Sequence, residues 1–139
     1  MHNRSIPRAA LIPELGYADV RAAATWLCEA LGFTERLRIA NHRIQLTFGD
    51  CALVVIEGPD RPDPAYASTH VMMLRVDDLD ATFARAIAKG ADVLRRPTDY
   101  PYGKRQCTLH DPGGHAWTLS QSIADVDPAD WGGELLARR

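Results

Sequence analysis

Long apolar runs are missing from this 139-residue chain. The longest is Ala52–Ile56, whereas a membrane-spanning helix needs about 20 apolar residues. The first residues, MHNRSIPRAALIPELG, contain no apolar core of signal-peptide length and are interrupted by two prolines. A cytoplasmic protein with no membrane partner is therefore expected. Cysteine is scarce: Cys28, Cys51 and Cys107 are dispersed and form no CxxC pair. Such an odd, scattered set argues against a thiolate zinc cluster and predicts reduced thiols packed as small hydrophobes. Excess positive charge is also lacking. Sixteen Lys and Arg against 18 Asp and Glu leave a net charge of -2, which removes nucleic acid from the expected partners. There is no glycine-rich phosphate loop, no Ser-His-Asp arrangement, no nucleophile beside an evident base and no low-complexity or coiled-coil segment. What remains, 46% hydrophobic and 24% charged residues, is the balance of one ordinary globular domain.

The positive signal is a repeated pattern. In residues 69–90, THVMMLRVDDLDATFARAIAKG, Met72, Leu74 and Val76 alternate with Val71, Met73 and Arg75, the period of a strand. Asp77 and Asp78 are candidate helix caps. Leu79, Phe83, Ala86 and Ile87 then form an apolar stripe at helical spacing, and Gly90 ends the helix where a left-handed residue is cheapest. The same order occurs once before, with Asp19 as the cap, Val20, Ala23, Leu27 and Leu31 as the stripe and Gly32 as the stop. A short strand and a hairpin follow each helix: HRIQLTF and CALVVIE around Gly49-Asp50, then KRQCTLH and HAWTLSQ around DPGG. Each half thus reads β-α-β-β-β. The expected organisation is an α+β domain with one module over residues 8–58, a proline-rich linker over 59–68, a second module over 69–121 and a tail over 122–139. In finer detail, strands are expected at 9–16, 34–39, 42–48, 52–57 and 91–96, with a helix at 19–31. Residues 1–8 read as a loose polar segment, and PTDYPYG (97–103) as a loop.

The stretches DVRAAATWLCEALGF (19–33), VDDLDATFARAIAKG (76–90) and DPGGHAWTL (111–119) resemble the vicinal oxygen chelate superfamily, which holds glyoxalase I, bleomycin-resistance proteins, fosfomycin-resistance enzymes and extradiol dioxygenases. The resemblance covers roughly residues 8 to 121. PYGKR followed by DPGGHAWTL resembles the glyoxalase-like branch. It implies paired βαβββ modules whose sheets curl into a cup with helices outside. It also implies a homodimer in which modules from both chains form the cups. The fold hosts several chemistries and some pure binders, so the reaction does not follow from it.

In the metal-dependent members of that superfamily, His, Gln or Glu ligands point into the cup. Counting from the caps and glycines, those positions fall here on Ile12, Val71 and Thr118. In the strand after the first hairpin, Glu57 is the one carboxylate available as the fourth. A divalent ion needs several N or O donors converging, so no metal cofactor is expected. The alternative is a remodelled divalent-metal site using His70 and Glu57. His70 shares parity with Met72 and Leu74, however, and needs a bulge to turn inward; its plainer reading is an edge histidine at a strand start.

Strand parity predicts what lines the cup instead. Glu14 follows the parity of Ile12, and Met73 and Arg75 that of Val71. Thr118 brings Ala116 and Ser120 with it. Arg43 and Gln45 come from the polar face of their strand, and Tyr100 and Tyr102 from a loop at the mouth. A buried Arg75 requires a partner; a Glu14–Arg75 ion pair and an anionic ligand are both open. Tyr has an apolar body and a polar tip, which suits an aromatic or heterocyclic ligand. Trp26 and Trp117 are expected in the core. The expected function is therefore metal-independent binding of a small organic molecule through Glu14, Arg43, Gln45, Arg75, Tyr100, Tyr102 and Thr118, sequestering a drug or metabolite. The alternatives are a metal-dependent lyase, isomerase or dioxygenase-like enzyme, and a scaffolding module with no ligand.

Overall fold

The computed structural model describes residues 1–59 and 69–136. The proline-rich linker falls almost wholly outside the described residues. In chain order the first half comprises β1 (Glu14–Tyr17), α1 (Val20–Trp26), a π-helical turn (Leu27–Leu31), β2 (Thr34–Ile39), β3 (Arg43–Phe48) and β4 (Cys51–Glu57). The second comprises β5 (Met72–Arg75), α2 (Leu79–Ala88), β6 (Asp92–Tyr100), β7 (Lys104–His110) and β8 (Ala116–Ser122), then a 3-10 turn at Pro128–Trp131. Two four-stranded mixed sheets result, ordered β1-β4-β3-β2 and β5-β8-β7-β6. In each, the module's first strand lies parallel to its last, and the hairpin strands are antiparallel. The βαβββ repeat and the α+β class are as expected, and the sheets are curled without closing.

Local chemistry accounts for the helices. Asp19 and Asp78 sit in extended conformation and accept from Ala22 N at 3.0 Å and Ala81 N at 3.1 Å, satisfying donors that the first turn leaves over. Gly32 and Gly90 end the two helical segments at φ 91° and 93°. The stripe of α2 differs from the expectation at one residue. Ile87 is 40% exposed, while Thr82 is buried at 5% and donates its hydroxyl to Asp78 O at 3.0 Å.

Several boundaries also differ. β1 begins only after Pro13, whose carbonyl still accepts from Val54 N at 2.9 Å; proline has no N–H to continue the ladder. The first helix switches to π-helical geometry after Trp26. β6 runs through Pro97 to Tyr100, where a loop was expected, because irregularities at Val93/Arg95 and Arg95/Thr98 absorb the proline on an edge strand.

The core is common to both modules. Leu15, Val20, Leu27, Leu31, Ile44, Leu46 and Val55 from the first join Leu74, Leu79, Ala86, Leu109, Trp117 and Leu119 from the second in one buried cluster. The helices meet inside it, and Trp26 Nε1 donates to Lys89 O at 2.8 Å, capping a carbonyl at the end of α2. Trp26 and Trp117 are buried at 8% and 2%, as expected. Alternation then turns the other face of each sheet away from this core.

Candidate functional site

The outward face of the second sheet carries a connected polar row. Register pairs Met73 with Thr118 and Thr118 with Thr108, and in the next rung Arg75 with Ser120 and Ser120 with Gln106. Thr108 and Thr118 share a hydroxyl hydrogen bond at 3.0 Å. Tyr102 donates its hydroxyl to Gln106 Oε1 at 3.1 Å, and Gln106 Nε2 donates to Ser120 Oγ at 3.1 Å. Above this chain, Tyr100 and Tyr102 stack with centroids 5.2 Å apart and planes 10° from parallel. Trp131 packs on Tyr102 at 5.4 Å, and Arg95 Nη1 donates to the Tyr100 hydroxyl at 3.0 Å. Met73 is 59% exposed and Arg75 is exposed as well. The wall combines flat π faces with hydroxyl and amide groups, a surface suited to an aromatic body with polar substituents.

The corresponding face of the first sheet holds Glu14, Arg43 and Gln45. Arg43 Nη1 lies 3.3 Å from Glu14 Oε2, so Glu14 pairs within its own sheet rather than with Arg75 of the other. Cross-strand contact explains this, because Glu14 and Arg43 both flank β4. The pair is half exposed and contributes little to stability. Gln45 is buried at 6% and accepts from Arg36 Nη1 at 2.6 Å. Arg36 reaches it because β2 bulges between Glu35 and Leu37, which breaks the alternation that parity reasoning follows.

Between the modules lies a buried carboxylate. Asp111, 2% exposed, accepts through Oδ1 from Gly113 N at 3.0 Å and His115 N at 2.9 Å. Through Oδ2 it accepts from Trp117 Nε1 at 3.0 Å and from the Tyr17 hydroxyl of the other module. His115 Nε2 lies 2.7 Å from Gly16 O, which makes it the donor, and its ring meets Tyr17 at 4.6 Å. The DPGG turn thus clasps β1. Burial, then the Asp111 charge and the hydrogen bond to it, push the Tyr17 phenol far above its ordinary 10.0. The fold therefore favours the protonated phenol. Its contribution is fully present below pH 10 and is lost as the pH rises beyond it, where the unfolded chain ionises first. The slope from Tyr17 is about 1.4 kcal/mol per pH unit. Burial likewise pushes the Cys107 thiol from 9.0 up to about 11, so its loss falls between those values. Urea unfolding at pH 9 and pH 11 checks this: Tyr17→Phe should lose less stability between the two than the parent chain. Equal losses would remove the clasp's ionic part.

The donor set does not fit a divalent metal. Thr118 spends its hydroxyl on Thr108, and Ile12 and Val71 offer no donor. Glu57 ends β4 of the first sheet, while His70 precedes β5 of the second, with Nδ1 3.2 Å from Thr69 Oγ1. Among the described residues no group of three or more His, Cys, Asp or Glu side chains could hold an ion, and no helix is long and apolar enough to cross a membrane.

Of the residues expected from sequence, Tyr100, Tyr102, Thr118 and Arg75 share the second wall, and Glu14, Arg43 and Gln45 the first. Sequence reasoning missed Gln106, Ser120's bond to it, Arg95, Arg36 and Trp131. The parity of β7 with Thr108 and Gln106 on one face was a usable signal; nothing local marked Trp131.

Solved structures share this architecture. TioX from Micromonospora sp. ML1 is 30% identical, aligns over 81% of this chain and 98% of its own, and superposes with a TM-score of 0.66. TnmS3, an antibiotic binding protein from Streptomyces sp. CB03234, is 26% identical over 85% of this chain and 98% of its own, with a TM-score of 0.63. A Mycobacterium tuberculosis protein, Rv0887c, is 41% identical over 54 residues, 39% of this chain. The match spans only about a third of such curated relatives, 36% and 32% of their lengths. The family model of the Glyoxalase/Bleomycin resistance protein/Dioxygenase superfamily matches residues 8–119, and with the paired βαβββ modules already in view, the chain belongs to that superfamily.

Proposed function

We propose that this protein binds a small, flat organic molecule without a metal and sequesters it, as a homodimer whose cups are built from modules of both chains. The observation that carries this reading is the second-sheet wall, where the stacked Tyr100 and Tyr102 lie over the Tyr102–Gln106–Ser120 hydrogen-bond chain. Aliphatic side chains would fill the face of a scaffold with no ligand at less desolvation cost, and here a polar row lies beneath half-buried aromatics instead. The antibiotic-binding relative TnmS3 supports the same class of activity. The donor set at Ile12, Val71 and Thr118 counts against the enzyme alternative.

Thermal shift of the full chain tests it, using naphthalene-2-carboxylate and related planar acids beside Zn²⁺, Ni²⁺, Mn²⁺ and EDTA. A ligand of the folded state raises the melting temperature. The planar acids should raise it and the metals should not. Tyr102→Ala removes a stacking face, about 0.5–1.5 kcal/mol, and a hydrogen-bond donor of about 0.5–1.5 kcal/mol. It should weaken binding about fivefold or more. A large shift with one metal, abolished by His70→Ala, would instead move the enzyme reading to the front.

A further inference from the structure

The two walls are covered differently: on the second, Ser120 is only 2% exposed but Met73 and Arg75 are open. On the first sheet, Ala52, Val54 and Gln45 are only 5%, 4% and 6% exposed, although they alternate with the core residues Leu53, Val55, Ile44 and Leu46. The start of the chain reaches over Gln45 and Ala52. Arg36 Nη2 donates to Arg4 O at 2.8 Å, and Gln45 Nε2 donates to Ser5 O at 2.9 Å. Pro7 is buried and borders a crevice of about 410 Å³ together with Arg8, Arg36, Thr47 and Ala52. A segment expected to be loose is thus held by Arg36 and Gln45, two side-chain donors of that face.

Building on the binding reading above, we propose that residues 4–8 are a built-in pseudo-ligand of the first half-cup. Two carbonyl oxygens and one apolar ring fill the place that a small molecule with carbonyl or carboxylate acceptors takes once the segment is displaced. The chemistry is competitive. Arg36 and Gln45 present N–H groups and the arm presents acceptors, so an incoming acceptor must replace these bonds rather than add to them. Among the described residues nothing equivalent lies over Met73 and Arg75 on the second wall, which are exposed. The apparent affinity is therefore the intrinsic affinity multiplied by the fraction of time the segment is displaced.

The test uses the full chain and Pro7→Asp, which puts a charge where the ring is buried, with Pro7→Gly as the milder variant. Trypsin cleavage after Arg4 and Arg8 reports release of the segment, and fluorescence titration with naphthalene-2-carboxylate reports the site. We expect both variants to be cleaved faster than the parent chain and to bind the probe more tightly, by about tenfold for Pro7→Asp. Faster cleavage with unchanged or weaker binding overturns the proposal and leaves the segment purely structural. If the parent chain binds through Tyr102 and the variants show no gain, the binding reading stands and the pseudo-ligand falls. If no protein binds the probe, both fall.

Discussion

Asp111→Ala is expected to lower the unfolding free energy by about 4 kcal/mol at neutral pH. The carboxylate accepts from the Tyr17 hydroxyl, Trp117 Nε1, Gly113 N and His115 N. Alanine leaves the first two as donors in the interior with no acceptor, at about 1–3 kcal/mol each. It also unties the DPGG turn, whose Gly114 N still bonds Asp111 O at 2.9 Å. Among the described residues no buried side-chain nitrogen or oxygen otherwise lacks a partner, so this substitution creates a fault that the native fold avoids. Set against a total stability of about 5–15 kcal/mol, the melting temperature should fall by on the order of 10 °C. Urea unfolding of the parent, Asp111→Ala and Tyr17→Phe proteins measures it. Tyr17→Phe removes one bond to a charged acceptor and should cost less, about 1.5–3 kcal/mol. A cost below about 1 kcal/mol for Asp111→Ala would mean that water replaces the carboxylate and that the modules do not depend on the clasp.

Gly103→Ala should cost about 3 kcal/mol and loosen the tail as well. Gly103 has φ 79°, where a side chain costs about 1–2 kcal/mol. A Cβ there would overlap the carbonyl oxygen of Ala124 and come within 3.2 Å of Val126 Cγ2. The overlap is with backbone, so a side-chain rotation does not relieve it, and overpacking adds about 1–3 kcal/mol. Gly103 O also accepts from Ile123 N at 2.8 Å and Ala124 N at 3.3 Å, which is how the tail is turned toward the wall. Displacing it should separate Trp131 from Tyr102. Trp26 and Trp117 are buried and Trp131 is 45% exposed, so acrylamide quenching reads mainly Trp131. Quenching should increase in the variant. An unchanged stability with unchanged quenching would show that the turn accommodates the methyl and that the tail is held elsewhere.

Local signals accounted for the helices, hairpins and most strand faces. Asp19, Asp78, Gly32 and Gly90 mark helix ends through bonds and dihedrals that depend on a few neighbouring residues. The alternation in β3, β5 and β8 assigned Gln45, Arg75 and Thr118 to the outward faces for the same reason. The expectation failed where one residue broke the period. Pro97 was read as a stop, yet β6 continues across it through two irregularities. Arg36 was not read as a wall residue, because the bulge at Glu35/Leu37 that brings it to Gln45 leaves no mark in composition.

By itself, then, the sequence determined the βαβββ repeat, the family and the two polar sheet faces. These depend on residue type and on periods of 2 and 3.6, which act over a few residues. Only the tertiary structure decided which polar groups meet. Asp111 joins Tyr17 across 94 positions of sequence, Trp131 comes back onto Tyr102, and Arg4 and Ser5 are held by Arg36 and Gln45. Those contacts are set by how the two modules and both chain ends fold over the sheets. A contact between distant residues depends on the path of the whole chain, and no local pattern encodes that path.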